Sequence, residues 1–257
     1  MKFESLENRI GFSILFVELA IGLCFNGALL YILMRKRNRT IGDLLIIQLS
    51  CSEISIALWD LINYSLHIHW DRSEESKVHL TGQVITSMFM YQSVLCITLD
   101  RILAVRLTYK YNVVVTRQRI LFTSIVIFLI SSVLGIIEWF GVNVITTVIA
   151  PFWSCLNCFV IIGGYSYIIL STHIRRRKLI KDSSSTTAPN IRYTVPFCIS
   201  ATFFLFLVIP DIVLSVNMDL YCIWFLVVWA LNMICDPLIY VLIWRCRPNT
   251  NAPINSD

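Results

Sequence analysis

The stretch Ser93-Val94-Leu95-Cys96-Ile97-Thr98-Leu99-Asp100-Arg101-Ile102-Leu103-Ala104-Val105 is an apolar, helix-length run that ends in an adjacent acid–base pair. Placing charges at that depth is costly in hydrocarbon unless they lie at the water boundary or face a protein interior. Taken alone, the stretch fits two readings. Arg101 can be a snorkelling residue at a span end, or the Asp100-Arg101 pair can work inside a helical bundle. The choice turns on whether other polar residues sit at matching depths elsewhere in the chain.

The composition sets the frame. Of 257 residues, 57% are hydrophobic and only 14% charged, with a mean hydropathy of +0.73. Soluble domains carry about 25% charged residues, so this is the composition of a membrane protein. The nine cysteines do not form a disulfide scaffold, because Cys24, Cys51, Cys96, Cys155, Cys158, Cys198 and Cys235 all fall in apolar runs and behave as small hydrophobes. Cys155 and Cys158 are three apart, but within such a run rather than in a soluble loop. The start, Met1-Lys2-Phe3-Glu4-Ser5-Leu6-Glu7-Asn8-Arg9, lacks the features of a cleavable signal peptide, and the first apolar run is expected to serve as its own insertion signal.

A spanning helix needs about 20 mostly apolar residues. Seven runs qualify: 10–34, 43–67, 78–105, 120–140, 144–173, 193–216 and 220–244. Strand alternation is absent, and helices are the economical way to satisfy backbone polar groups in lipid. The expected fold is an all-α membrane protein, a single seven-transmembrane helix bundle without internal repeat or soluble domain. Basic residues set its orientation: 17 of the 21 fall on one side, in Arg35-Lys36-Arg37-Asn38-Arg39, around Arg101 to Arg119, in Arg175-Arg176-Arg177-Lys178 to Arg192, and after Trp244. By the positive-inside rule the N-terminus is outside and the C-terminus inside. These clusters are juxtamembrane, so the net charge of +5 points to anionic lipid and cytosolic partners rather than to nucleic acid. The segment 182–190 reads as a flexible polar linker.

Three runs carry strongly polar residues at one depth. Asn26 is eight residues before Met34, Glu53 ten after Asp43, and Asp236 eight before Trp244. At 1.5 Å per residue all three lie roughly 12–15 Å above the inner boundary. Such residues are too deep and too short to snorkel, and together they suggest a buried, water-containing network. Two neighbouring carboxylates also require a shared proton or an intervening cation. In the last run, Asn232-Met233-Ile234-Cys235-Asp236-Pro237-Leu238-Ile239-Tyr240, Pro237 frees a backbone carbonyl and leaves a gap for a neighbouring acid or water. The sixth run has Pro210 with Phe203, Phe204 and Phe206 beneath it, the makings of a lever that swings its inner end.

At this point the chain resembles the rhodopsin-like (class A) G-protein-coupled receptors across all seven runs. Asp100-Arg101-Ile102 is similar to their Asp-Arg-Tyr motif, with Ser93 and Leu103-Ala104-Val105 in pattern. Asp236-Pro237-Leu238-Ile239-Tyr240 is similar to their Asn/Asp-Pro-x-x-Tyr motif, in the form that melanocortin receptors carry. Asn26 matches the first-span Asn, Glu53 takes the place of the second-span Asp, and Phe204 and Pro210 match part of the sixth-span motif. A short second outer loop and a missing third-span Cys are further melanocortin-like traits.

There are also departures. No Cys lies between Cys51 and Cys96, so the family's disulfide from the top of the third span has no partner there. Val208 and Phe128 stand where Trp is usual, the fifth run lacks its Pro, and Tyr165 or Tyr167 is the candidate for its Tyr. The region after Trp244 is too short for a full amphipathic helix, leaving Cys246 as a palmitoylation candidate. The acidic cluster that holds calcium and peptide in melanocortin receptors is missing, so their ligand does not carry over.

The resemblance implies a switch. Asp100 holds Arg101 at rest; on activation Arg101 is released, Tyr165 and Tyr240 move inward, and the sixth span swings out on Phe204 and Pro210 to admit a heterotrimeric G protein. Asn26, Glu53, Asn232 and Asp236 would form the sodium or water network of the resting form. No cofactor, and no metal beyond sodium, is expected. For the extracellular ligand, Gln83 stands near the Asp of aminergic receptors, disfavouring a monoamine, and the last run has no Lys for a retinal Schiff base. Gln83, Asp60, Asn63 and Tyr91 are the leading pocket residues, with Glu18, Glu138, Asp211 and Asn217 behind them, while Trp59, Trp70, Trp139 and Trp224 read as interface anchors. Alternatives are a receptor-like membrane protein that does not couple, or a small polytopic transporter, which would favour paired repeats and broken helices about a midplane site. No Ser/His/Asp or His-rich constellation supports an enzyme, since the four histidines are His67, His69, His79 and His173.

Overall fold

A computed structural model of the chain describes residues 6–67, 75–107, 110–140, 149–181 and 223–245. Among these residues all regular structure is helical: α1 (Leu6–Arg35), α2 (Ile41–His67), α3 (Glu75–Leu107), a single turn α4 (Tyr111–Val114), α5 (Arg117–Trp139), α6 (Ala150–Lys181) and α7 (Ile223–Arg245). Among the described residues, four segments are long and apolar enough to cross a membrane, namely Ile10–Arg35, Ile41–Asn63, Thr81–Leu107 and Arg117–Trp139. α6 carries a shorter apolar stretch, Cys155–Ser171. The protein is a membrane-embedded helical bundle.

The expected runs 10–34, 43–67 and 78–105 fall inside α1, α2 and α3, and the described part of 220–244 is α7. α5 begins at Arg117, three residues earlier than the apolar pattern indicates. The reason is a cap: Thr116 takes an extended conformation and its hydroxyl accepts from Arg119 N at 3.4 Å, so the helix starts in polar residues that hydropathy cannot see. The run 193–216, with Phe204, Val208, Pro210 and Asp211, lies outside the described residues, as do Asn217, Cys246 and the linker.

α2 starts on a reciprocal cap between Thr40 and Asp43. Thr40 N donates to Asp43 Oδ2 at 2.6 Å and Asp43 N to Thr40 Oγ1 at 3.2 Å, satisfying two donors that a helix start leaves open. Lys36 Nζ joins the same Asp43 oxygen at 2.5 Å. The connection back to α1 is tied by Arg39, whose guanidinium donates to Leu33 O at 3.2 Å and also to Met34 O.

α3 is the centre of the bundle, packed against α2, α5 and α6, while α1 lies between α2 and α7. The core includes the fully buried Leu15, Leu19, Ile56, Met90, Ile161, Ile168 and Met233. Outward faces are equally apolar. On α5 only Ile127, Ser131, Gly135 and Glu138 are buried, whereas Phe122, at 69% exposed, stands with Leu121, Ile125, Phe128 and Leu129 on the surface. An apolar belt of this extent is stable against lipid tails and not against water.

Candidate functional site

The half of the bundle that contains the C-terminal end of α3 holds three polar groups. Toward the C-terminal end of α3, Asp100 is 3% exposed. Arg101 Nε donates to Asp100 Oδ2 at 2.9 Å and its Nη2 bonds the same oxygen. The other carboxylate oxygen, Oδ1, accepts from the hydroxyl of Tyr111 on α4. Both lone-pair sides of Asp100 are therefore engaged, one by a cation and one by a neutral phenol. Burial, followed by the bond to Asp100, pushes the Tyr111 phenol above its ordinary pKa, so it keeps its proton and remains a donor. The Arg101 guanidinium also reaches over Gly42 at the start of α2, bringing the α1–α2 connection next to the pair.

One turn and more above, Gln48 on α2 bridges α3 and α5. Its Nε2 donates to Ser93 Oγ at 3.1 Å and its Oε1 accepts from Ser124 Oγ at 2.6 Å. Ser93 donates in turn to Phe89 O at 2.7 Å, and the single Ser124 hydroxyl hydrogen is shared between Gln48 Oε1 and Ile120 O, the latter at 2.9 Å. Beside this chain Phe128 meets Phe89 edge to face with ring centroids 5.6 Å apart. These contacts fix the register of α5 on α3 above the Asp100-Arg101 pair.

The third group joins α1, α2 and α7. Pro237 has no N–H, so the carbonyl of Met233, four residues earlier, has no intrahelical donor. Asn26 supplies one: its Nδ2 donates to Met233 O at 2.9 Å and to Gly22 O at 3.1 Å. The gap that the sequence assigned to an acid or water is taken by an amide from another helix. Gly22 makes the approach possible, since a Cβ there would sit 3.0 Å from Met233 Cβ. Asn26, Glu53 and Asp236 are all 2% exposed or less, and the Glu53 carboxyl interacts directly with Asp236 and Asn26. Even so, neither Glu53 oxygen nor Asn26 Oδ1 has a hydrogen bond of ordinary geometry. Burying such oxygens without partners costs about 1–3 kcal/mol each, and oxygens facing one another are the donor set a hard cation accepts.

Of the two fifth-run tyrosines, Tyr165 is buried and Tyr167 is 42% exposed, so Tyr165 is the one turned into the bundle. Tyr240 is buried as well, and Asn232 lies on α7 one turn before Asp236. The pocket residues are dispersed: Tyr91 sits in the core, Asp60 and Asn63 are half-buried on α2, and Gln83 is exposed on α3. The Trp59 indole packs on the backbone of α3 so closely that a Cβ at Gly82 would overlap the ring.

Tyr111, Gln48, Ser124 and Asn157 are absent from the sequence-based candidates. Gln48 and Asn157 could have been found as amides interrupting apolar runs. Asn157 on α6 is 1% exposed with both amide atoms unbonded. Trp59 Nε1, Asn63 Nδ2, Thr81 Oγ1 and Trp153 Nε1 are likewise buried without hydrogen-bond partners, so the end of the bundle opposite the Asp100-Arg101 pair carries unsatisfied polar atoms. No family model matches this sequence, and no curated protein aligns with it significantly.

Proposed function

We propose that this protein is a divergent seven-span receptor of the G-protein-coupled kind, set in the plasma membrane with its N-terminus outside. The supporting observation is the lock at the inner end of α3, where Asp100 is held between Arg101 and Tyr111. A carboxylate bonded this way keeps the guanidinium of Arg101 folded against its own helix, and any process that breaks the pair frees Arg101 for a cytosolic partner. The partner is a heterotrimeric G protein, admitted as the segment 193–216 moves outward with Phe204 and Pro210, while Tyr165 and Tyr240 fill the space behind it. An extracellular ligand biases this two-state equilibrium by binding the open form better. Its binding surface is the outer half, where Trp59, Asn63, Thr81, Trp153 and Asn157 carry the unsatisfied polar atoms. In the layer between α1, α2 and α7, away from that surface, Asn26, Glu53 and Asp236 would hold a sodium ion, neutralising the paired carboxyls in the resting form.

The distribution of basic residues supports the orientation, and the resemblance of the motifs supports the coupling. The absent third-span Cys and Val208 in place of Trp favour a second reading, a receptor-like protein that does not couple. Nucleotide exchange on each G-protein class, measured in membranes expressing the full chain, separates the two. Coupling requires that Arg101→Ala abolish exchange at unchanged surface expression; exchange equal to that of the unmodified chain rejects the mechanism.

A further inference from the structure

The cytosolic ends of α1, α2 and α5 enclose an open cleft of about 550 Å³. Five cations line it: Arg35, Lys36, Arg37, Arg39 and Arg117. Lys36 is neutralised by Asp43 at 2.5 Å. The other four have no acidic partner among the described residues. Arg39 and Arg117 are nevertheless fixed in place, because Arg39 donates to the last carbonyls of α1 and Arg117 Nη2 donates to Arg39 O at 2.6 Å. Backbone carbonyls orient a guanidinium without cancelling its charge, so both groups keep their charge while lining the cleft. Arg35 is steadied by stacking on Tyr31, 4.9 Å from the ring centroid, and Arg37 is exposed.

The remaining wall is apolar, formed by Met34, Leu44 and Leu121. Leu121 continues into Phe122 and Ile125 on the exposed apolar face of α5. A soluble anion has no use for such a wall; an amphiphile does. We propose that this cleft binds the headgroup of a membrane phospholipid bearing phosphomonoesters, with its phosphates on Arg35, Arg37, Arg39 and Arg117 and its glycerol and upper acyl chain along Met34 and Leu121. Two phosphomonoesters supply enough negative charge to offset the four unpaired cations, which a singly charged headgroup cannot do. A bound headgroup would bridge α1 to α5 across the start of α2, the part of the fold over which Arg101 lies. The site rests on the membrane orientation proposed above and not on coupling.

The test uses the full chain in nanodiscs of phosphatidylcholine. Retention of phosphatidylinositol 4,5-bisphosphate is measured by native mass spectrometry, against phosphatidylserine at equal total charge and against soluble inositol 1,4,5-trisphosphate. The expected result is selective retention of the bisphosphate lipid, weakened roughly fivefold for each cation removed. Arg39→Gln and Arg117→Gln also remove ties to carbonyls, so Arg35→Gln and Arg37→Gln, which make no such bonds, serve as the variants that keep the fold. Arg106→Gln, an exposed cation outside the cleft, should bind as the unmodified chain does. Equal retention of phosphatidylserine, unchanged binding in Arg35→Gln/Arg37→Gln, or equally tight binding of the soluble trisphosphate would each overturn the proposal, as would displacement of the lipid by a phosphorylated peptide. None of these readouts involves a G protein, so failure here leaves the receptor proposal standing and failure to couple leaves this one standing.

Discussion

Asn26 substitutes for a hydrogen bond that Pro237 cannot make, and this relation predicts a specific non-additivity. In Asn26→Ala, Met233 O loses its donor while remaining buried beside Gly22, and the bonds at 2.9 and 3.1 Å are both lost. Leaving a buried acceptor unsatisfied costs about 1–3 kcal/mol, although polar contacts between membrane helices average about 0.6 and reach about 1.7 kcal/mol. The expected loss is about 1–2 kcal/mol, a fall in Tm of about 2–4 °C for each kcal/mol in a chain of this size. Pro237→Ala restores an N–H at position 237, four residues after Met233, so that carbonyl regains an intrahelical donor. In that background Asn26→Ala should cost less by about 0.6–1.7 kcal/mol. The assay is thermal unfolding of the four proteins of the cycle in one detergent, followed by reaction of buried cysteines such as Cys158 with a thiol-reactive fluorophore. If Asn26→Ala costs the same in both backgrounds, the amide is not compensating for the proline and the account of this layer is wrong.

Two further outcomes test the other polar groups. Tyr111→Phe removes a hydrogen bond to an ionised acceptor, worth about 1.5–3 kcal/mol; if the bond exists only in the resting form, basal nucleotide exchange should rise about tenfold or more at normal surface expression, and an unchanged basal rate would show that Tyr111 is not part of the lock. Glu53→Gln keeps the shape of the side chain but relieves the pairing with Asp236, so the variant should melt higher in sodium-free buffer; if the layer holds sodium as proposed, added sodium should raise the melting temperature of the unmodified chain and not that of the variant. A sodium response of undiminished size would place the ion elsewhere.

The candidate site was legible in depth but not in partnership. Counting residues from the span ends was enough to put Asn26, Glu53 and Asp236 in one layer, and α1, α2 and α7 do bring their side chains into contact. The same counting said nothing of Met233 O as the acceptor for Asn26, because a main-chain atom carries no mark in a sequence until a proline four residues on and a donor on another helix are both located. Tyr111 was passed over for a related reason: it lies in a polar connection eleven residues from Asp100, and only the docking of a single helical turn makes it a donor to that carboxylate. The dispersal of Gln83, Tyr91, Asp60 and Asn63 over exposed, buried and half-buried positions has the same origin, the rotation of each helix about its axis.

That rotation marks the division between the two kinds of information. Hydrocarbon requires backbone groups to be bonded within the protein, and a helix is the way a single apolar segment does so, so length and apolarity along one dimension determine that this chain is a helical membrane protein and roughly where its helices run. Hydrocarbon also removes the contrast between inside and outside. Leu45 in the core and Leu121 on the lipid face are the same residue under the same solvent preference. Which face of each helix turns inward is decided by tertiary contacts: the close approach at Gly22, the Gln48 bridge between Ser93 and Ser124, and the closing of Tyr111 over Asp100. In a bilayer, packing and hydrogen bonds between helices orient the helices, because the hydrophobic effect acts almost equally on all their apolar faces.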